Sequence, residues 1–216
     1  MAPTFPLSAS AFLEIARVWS TELVWMPMQS IGRQGSGQPR SADLGPGYWK
    51  AICQTQGLTN GEAEAVRALS TRLNGAMNAF RLYPTSMPYP QNDLDGSIYG
   101  ASTPIVTNRD NAYQADMSGF PADYEIKLGD WVQITYDTSR EYLGQFTQNK
   151  TANGSGVVSN ATLSAPLPAS VANGDAVNLI KPAGLFKLVL GSFHISVADP
   201  TSQTLRFEAE QVHEAA

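Results

Sequence analysis

The sequence predicts a mainly β protein with one or two helices, on three observations. From about residue 101 onward, short runs rich in β-branched and aromatic residues alternate with Gly, Asn, Asp or Pro turns. A sustained helical pattern with its own start signal is confined to residues 57–83. Charged residues are 15% of the chain, below the roughly 25% usual in soluble domains, and 18 Gly and 14 Pro are scattered along it. That balance suits a turn-rich β protein whose outer faces are polar and uncharged, or covered by neighbours.

The elements follow in chain order. After Pro6, Ser8 or Ser10 is placed to cap a short helix in which Phe12, Ile15, Ala16 and Trp19 recur at helical spacing. "STELVWMPM" resembles a strand with Leu23 and Trp25 on one face, ended by Pro27. "GRQGSGQPRSADLGPG" (32–47) reads as a polar loop, and "YWKAICQTQ" as the next strand. Cys53 alternates within that strand and is expected to be a reduced core thiol, since a single cysteine forms no internal disulfide.

The best-specified element is a helix over 60–74. Thr59-Asn60-Gly61-Glu62 fits a capping box, in which Thr59 caps the free amides and Glu62 reaches back. Ala65, Val66, Leu69 and Leu73 form an apolar stripe wide enough to lie on a sheet, and Gly75 suits the left-handed residue that ends a helix. "NAFRLY" returns as a strand, and 84–100 is a Pro-rich excursion. Within it "QNDLDGSIYGAS" partly mimics a calcium loop through Asp93, Asp95 and Gly96, but Gln91 and Ser102 stand at the ends that need charge. No metal site is expected.

Beyond residue 101, "TPIVTN", "AYQADMSGF", "DWVQITY", "EYLGQFTQ", "VVSNATLSAPL", "AVNLIK" and "LFKLVL" predict strands of a small barrel or sandwich. "GDWVQI" (129–134) and "GDAVNL" (174–179) echo one another: a Gly-Asp turn opens a strand with Val132 and Ile134, or Val177 and Leu179, on the core face. Shared turn geometry accounts for this as well as a repeat does.

Catalytic chemistry finds no motif. The two histidines, His194 and His213, have no nucleophile pattern around them, and no G-x-S-x-G elbow, P-loop, dinucleotide fingerprint or H-E-x-x-H is present. Glu14, Glu62, Asp93, Asp95, Asp130 and Asp175 could supply a carboxylate pair, but each has a simpler role on a helix, in the capping box or at a turn. The expectation is a non-enzyme with no catalytic, cofactor-binding or metal-binding residues. Trp25, Trp49, Trp131, Tyr124, Tyr136 and Tyr142 could instead line a saccharide groove.

Net charge is −5 with 14 Lys+Arg and no basic run, which argues against specific nucleic-acid binding. The N-terminus lacks a secretory pattern and no apolar run reaches ~18 residues, so membrane insertion is not expected. The sequons at Asn149, Asn153 and Asn160 are read as turn chemistry in a hairpin region.

The series "FPLSASAFLEIARVW", "LVWMP", "SADLGPGYWKA", "GEAEAVRALSTRLNGAMNAFRLY", "PYPQNDLDGSIYGASTP", "GFPADYEIKLGDWVQITY" and "GDAVNLIKPAG" resembles, in order and over nearly the whole chain, bacteriophage and prophage tail proteins of the distal tail type. The resemblance implies a virion structural protein in the baseplate ring of a long-tailed, siphophage-like particle, linking the tail tube to the tail tip hub. It further implies a homo-oligomeric ring, hexameric in such proteins, with the tail tube protein, the baseplate hub and other tail tip proteins as partners. The protein would be made in the bacterial host cytoplasm and end in the distal virion tail. By the same resemblance, residues 1–100 and 184–216 build a ring-forming β-sandwich carrying the helix, and 101–183 form an inserted OB- or SH3-like barrel. The loops 32–47 and 84–100 are candidate contact arms. The alternative reading is a carbohydrate-binding minor tail protein that touches the host surface.

Overall fold

The computed structural model of the chain describes residues 4–213 except 34, 36, 138, 139 and 200. It is mainly β. In chain order the elements are α1 (Ala9–Phe12), β1 (Val18–Arg33), β2 (Pro39–Thr55), α2 (Asn60–Leu73) and β3 (Phe80–Leu82). Then come β4 (Ile105–Asn111), β5 (Gln114–Ser118), β6 (Glu125–Ile126), β7 (Trp131–Tyr136), β8 (Arg140–Gln145) and β9 (Lys150–Thr151). The last are β10 (Val157–Thr162), β11 (Ala176–Asn178), β12 (Gly184–Leu188), β13 (His194–Asp199) and β14 (Ser202–Gln211).

Two large antiparallel sheets organise the chain. The first runs β1-β2-β14-β12-β3, with β13 also on β14. The chain leaves it after β3, builds a second sheet ordered β10-β5-β4-β11-β7-β8, and returns as β12. A bridge between Phe146 and Leu163 joins the two ends of the second path and closes it into a small barrel. Two cores match the two sheets. One gathers Phe12, Val66, Phe80, Phe186 and Phe207 under α1 and α2, and the other gathers Val106, Met117, Ile134, Phe146 and Val177 inside the barrel.

Local chemistry explains the helices. Thr59 accepts the Glu62 amide and Glu62 accepts the Thr59 amide, so both halves of the capping box form. The left-handed C-cap is Asn74 at φ 52, with Gly75 following at φ 64, rather than Gly75 alone. The buried face is Ala63, Val66 and Leu73, while Ala65 is exposed. The two alanines are equally apolar, and the tilt of the helix on the sheet selects between them. At the N-terminus Ser8 is the cap, but α1 stops after one turn. Arg17 adopts φ 46 and turns the chain into β1, so Trp19 lies on a strand instead of continuing a helix.

The expected loop at 32–47 is the principal correction. β1 does not end at Pro27, and β2 begins at Pro39, so the two strands form one long hairpin paired from Val18–Thr55 to Arg33–Pro39. Pro27 is tolerated because the ladder skips it. Residues 84–100 are also no free arm. Asp93, almost fully buried, accepts the amides of Ile98 and Tyr99, and the Gln91 amide donates to Asp130 of the barrel. This excursion is folded back onto the second sheet.

Candidate functional site

Of the residues that could carry catalysis, Asp93 and Asp130 both come near Tyr124, with their oxygens accepting backbone amides, while the other candidates serve separate local roles. His194 is exposed on β13. His213 lies at a cleft, where burial, and then the Arg140 charge, lower its pKa. Glu14 pairs with Lys181 at 2.9 Å, Glu62 serves the capping box, and Asp95 accepts the Ser97 amide. Asp93 has both oxygens occupied by backbone amides, which removes it from the calcium-loop pattern. Among the described residues no three His, Cys, Asp or Glu side chains form a group able to hold a metal ion.

Asp130 and Asp175 explain the sequence echo. Asp130 Oδ2 accepts the amide of Lys127 at 2.8 Å, and Asp175 Oδ2 accepts the amide of Ala172 at 2.8 Å, each three residues back. Gly129 and Gly174 take left-handed φ values of 93 and 96, which glycine alone adopts without strain. The strands these turns open are neighbours, pairing Ile134 with Val177 and Gln133 with Asn178.

The aromatic candidates are mostly interior. Trp49, Tyr124, Tyr136 and Tyr142 are buried, and the Tyr142 hydroxyl donates to the Ala165 carbonyl. Burial raises the pKa of Tyr142, and raises that of Tyr124 together with the nearby Asp93 and Asp130. Trp25, Trp49 and Trp131 form a file of edge-on contacts, Trp25 to Trp49 at 5.1 Å and Trp49 to Trp131 at 5.0 Å. Trp25 alone of these touches both cores. It lies across Gly47, where a Cβ would stand 2.6 Å from its ring.

A further pair at the seam between the sheets escaped the sequence reading. Arg81 Nε on β3 donates to Glu141 Oε1 on β8 at 2.6 Å, and the Glu141 side chain is almost fully buried. Its other oxygen has no partner among the described residues. Desolvation raises the Glu141 pKa despite the lowering effect of Arg81. The alternation of Glu141 with Tyr142 and Leu143 was the available signal, but both faces of β8 are buried, so alternation does not separate inside from outside.

The most distinctive surface is the β1–β2 hairpin. Every residue of Met26–Arg33 and Pro39–Leu44 is exposed, with Ile31 at 73% and Leu44 at 66%. β1 is an outer strand of the first sheet, and β2 pairs with β14 only over Lys50–Gln54. The projecting half therefore presents two open edges among the described residues. At its root a cleft of about 250 Å³ lies among Trp25, Gly47, Tyr136, Arg140, Pro166 and His213. A second groove of about 410 Å³ continues from it between Pro27, Met28 and Asp43 of the arm and Tyr113 and Pro166 of the barrel. No protein-family model and no curated protein matches this chain.

Proposed function

We propose that this chain is a structural protein of the distal tail of a long-tailed bacteriophage or prophage particle, forming a ring between the tail tube and the tip hub. The observation that carries the reading is the β1–β2 arm. A two-stranded ribbon is marginal in water by itself, and this one holds apolar Ile31, Leu44 and Met28 in solvent. Such an element gains its stability from a partner, by strand addition along an open edge or by covering its faces.

The rest of the first sheet supports the same reading. β1 is one terminal strand of its path, and β13 occupies an outer position on the far side of β14. A sheet open on both sides can be continued by a second copy in head-to-tail fashion, the contact type that closes rings. The net charge of −5 suits a channel wall that passes DNA without holding phosphates. The ordered resemblance to distal tail proteins points to the same kind of particle.

The saccharide reading has less support, because four of the six rings that would stack on a sugar lie inside the cores. The deciding experiment is cryo-electron microscopy of particles carrying the protein, alongside sedimentation of the chain with and without residues 28–44, replaced by Asn-Gly. A ring at the tube–tip junction that is lost with the arm is expected. A chain that stays monomeric and occupies only peripheral fibres would sink the proposal.

A further inference from the structure

The arm contains a break at the level where it leaves the cores. Met26 pairs with Tyr48, and the next pair outward is Met28 with Gly45. Pro27 on one strand and Pro46 and Gly47 on the other are therefore skipped, and a further register shift follows between Met28 and Gln29. Neither proline carries an N–H, so neither position can donate a ladder hydrogen bond. On the inner side, Thr21 is buried and Leu23 and Trp25 pack on the first core. On the outer side the regular pairs Gln29–Asp43, Ser30–Ala42 and Ile31–Ser41 resume in full exposure.

We infer that the distal arm, residues 28–33 with 39–45, is a paired ribbon that moves as one piece, as a lever, about a hinge at Pro27 and Pro46–Gly47. The root is held by Trp25, which touches both cores and fills the space over Gly47. The groove of about 410 Å³ between the arm and Tyr113 and Pro166 is the room into which the lever swings toward the barrel. Prolines on both strands loosen the ladder at this level, while regular pairs on either side keep each half intact. The hinge is a property of the single chain and does not rest on the ring reading.

The test uses the full-length protein with pairs of spin labels, Cys53 being buried and unlabelled. Ser41→Cys with Ala169→Cys spans lever and barrel, and Glu22→Cys with Ala169→Cys spans root and barrel. Ser41 pairs with Ile31, about 14 Å out from the hinge, so a swing of roughly 30° moves it by about 7 Å, and the first pair is expected to show a distance distribution broader by that amount than the second. Pro27→Val with Pro46→Val supplies two ladder donors and is expected to narrow the first distribution. Amides of residues 29–32 are expected to exchange more slowly than an unstructured peptide. A wild-type lever distribution as narrow as the root control overturns the hinge. So does a breadth that the double substitution leaves unchanged, or unprotected amides in the lever.

Discussion

The indole nitrogen of Trp49 donates to the carbonyl oxygen of Leu143 at 2.9 Å, crossing from the first sheet to an outer strand of the barrel path. Both groups are buried, so the bond has no water to replace it. Trp49→Phe keeps an aromatic ring and leaves the carbonyl unsatisfied. The expected loss is about 2 kcal/mol, read as a lower urea midpoint with an unchanged slope.

The seam pair makes a prediction of opposite sign for its two members. Arg81→Met strips the paired cation from a buried carboxylate and is expected to cost about 2–3 kcal/mol. Adding Glu141→Gln to Arg81→Met is expected to recover most of that loss. Urea unfolding of the two single variants and the double variant at pH 7 checks the pair as a double-mutant cycle.

Glu141 also sets a pH dependence. Its folded pKa is raised, so its contribution is fully present below the unfolded carboxylate value and is lost as pH rises through the folded value. Relative to Glu141→Gln, the wild type is expected to gain stability as the pH falls across that window. Unfolding midpoints of both proteins through the carboxylate range check the direction.

The capping box behaves in the reverse way. Hydrogen bonds from the Thr59 amide and hydroxyl hold Glu62 below its ordinary pKa. Its contribution is present above the unfolded value and lost as pH falls through the folded one. Thr59→Ala is expected to cost about 1 kcal/mol, measured by urea unfolding at neutral pH.

Cys53 reports opening of the first core. Burial pushes its thiol up to about 12, which leaves almost no thiolate at pH 8. Native protein is expected to resist aromatic disulfide reagents, and modification should follow global unfolding as urea is added. Rapid modification without denaturant would show that the β2 region opens locally.

What the sequence disclosed was chiefly local chemistry. Thr59 and Glu62 specify a helix start within four residues, and the Gly-Asp turns act over three. The arm was hidden because Pro27 and the glycines of 32–47 resemble strand breakers, whereas here they sit at ladder interruptions or near the hairpin end. The pairing of Val18 with Thr55 is a long-range fact that neither strand announces. Gly47 is similar, since its role depends on Trp25 arriving from the other strand. Arg81 and Glu141 are 60 residues apart, and only the folded seam makes them partners.

The matched Gly-Asp turns act on the barrel as paired bookends. β7 and β11 are antiparallel, so the turns that open them stand at opposite ends of one strand pair. A slip of one residue in either strand would turn its own core residue, Ile134 or Val177, to the outer face and carry that strand away from its anchored start. An insertion in either turn therefore meets resistance from the other. The alignment of this strand pair is thus fixed twice, once from each end.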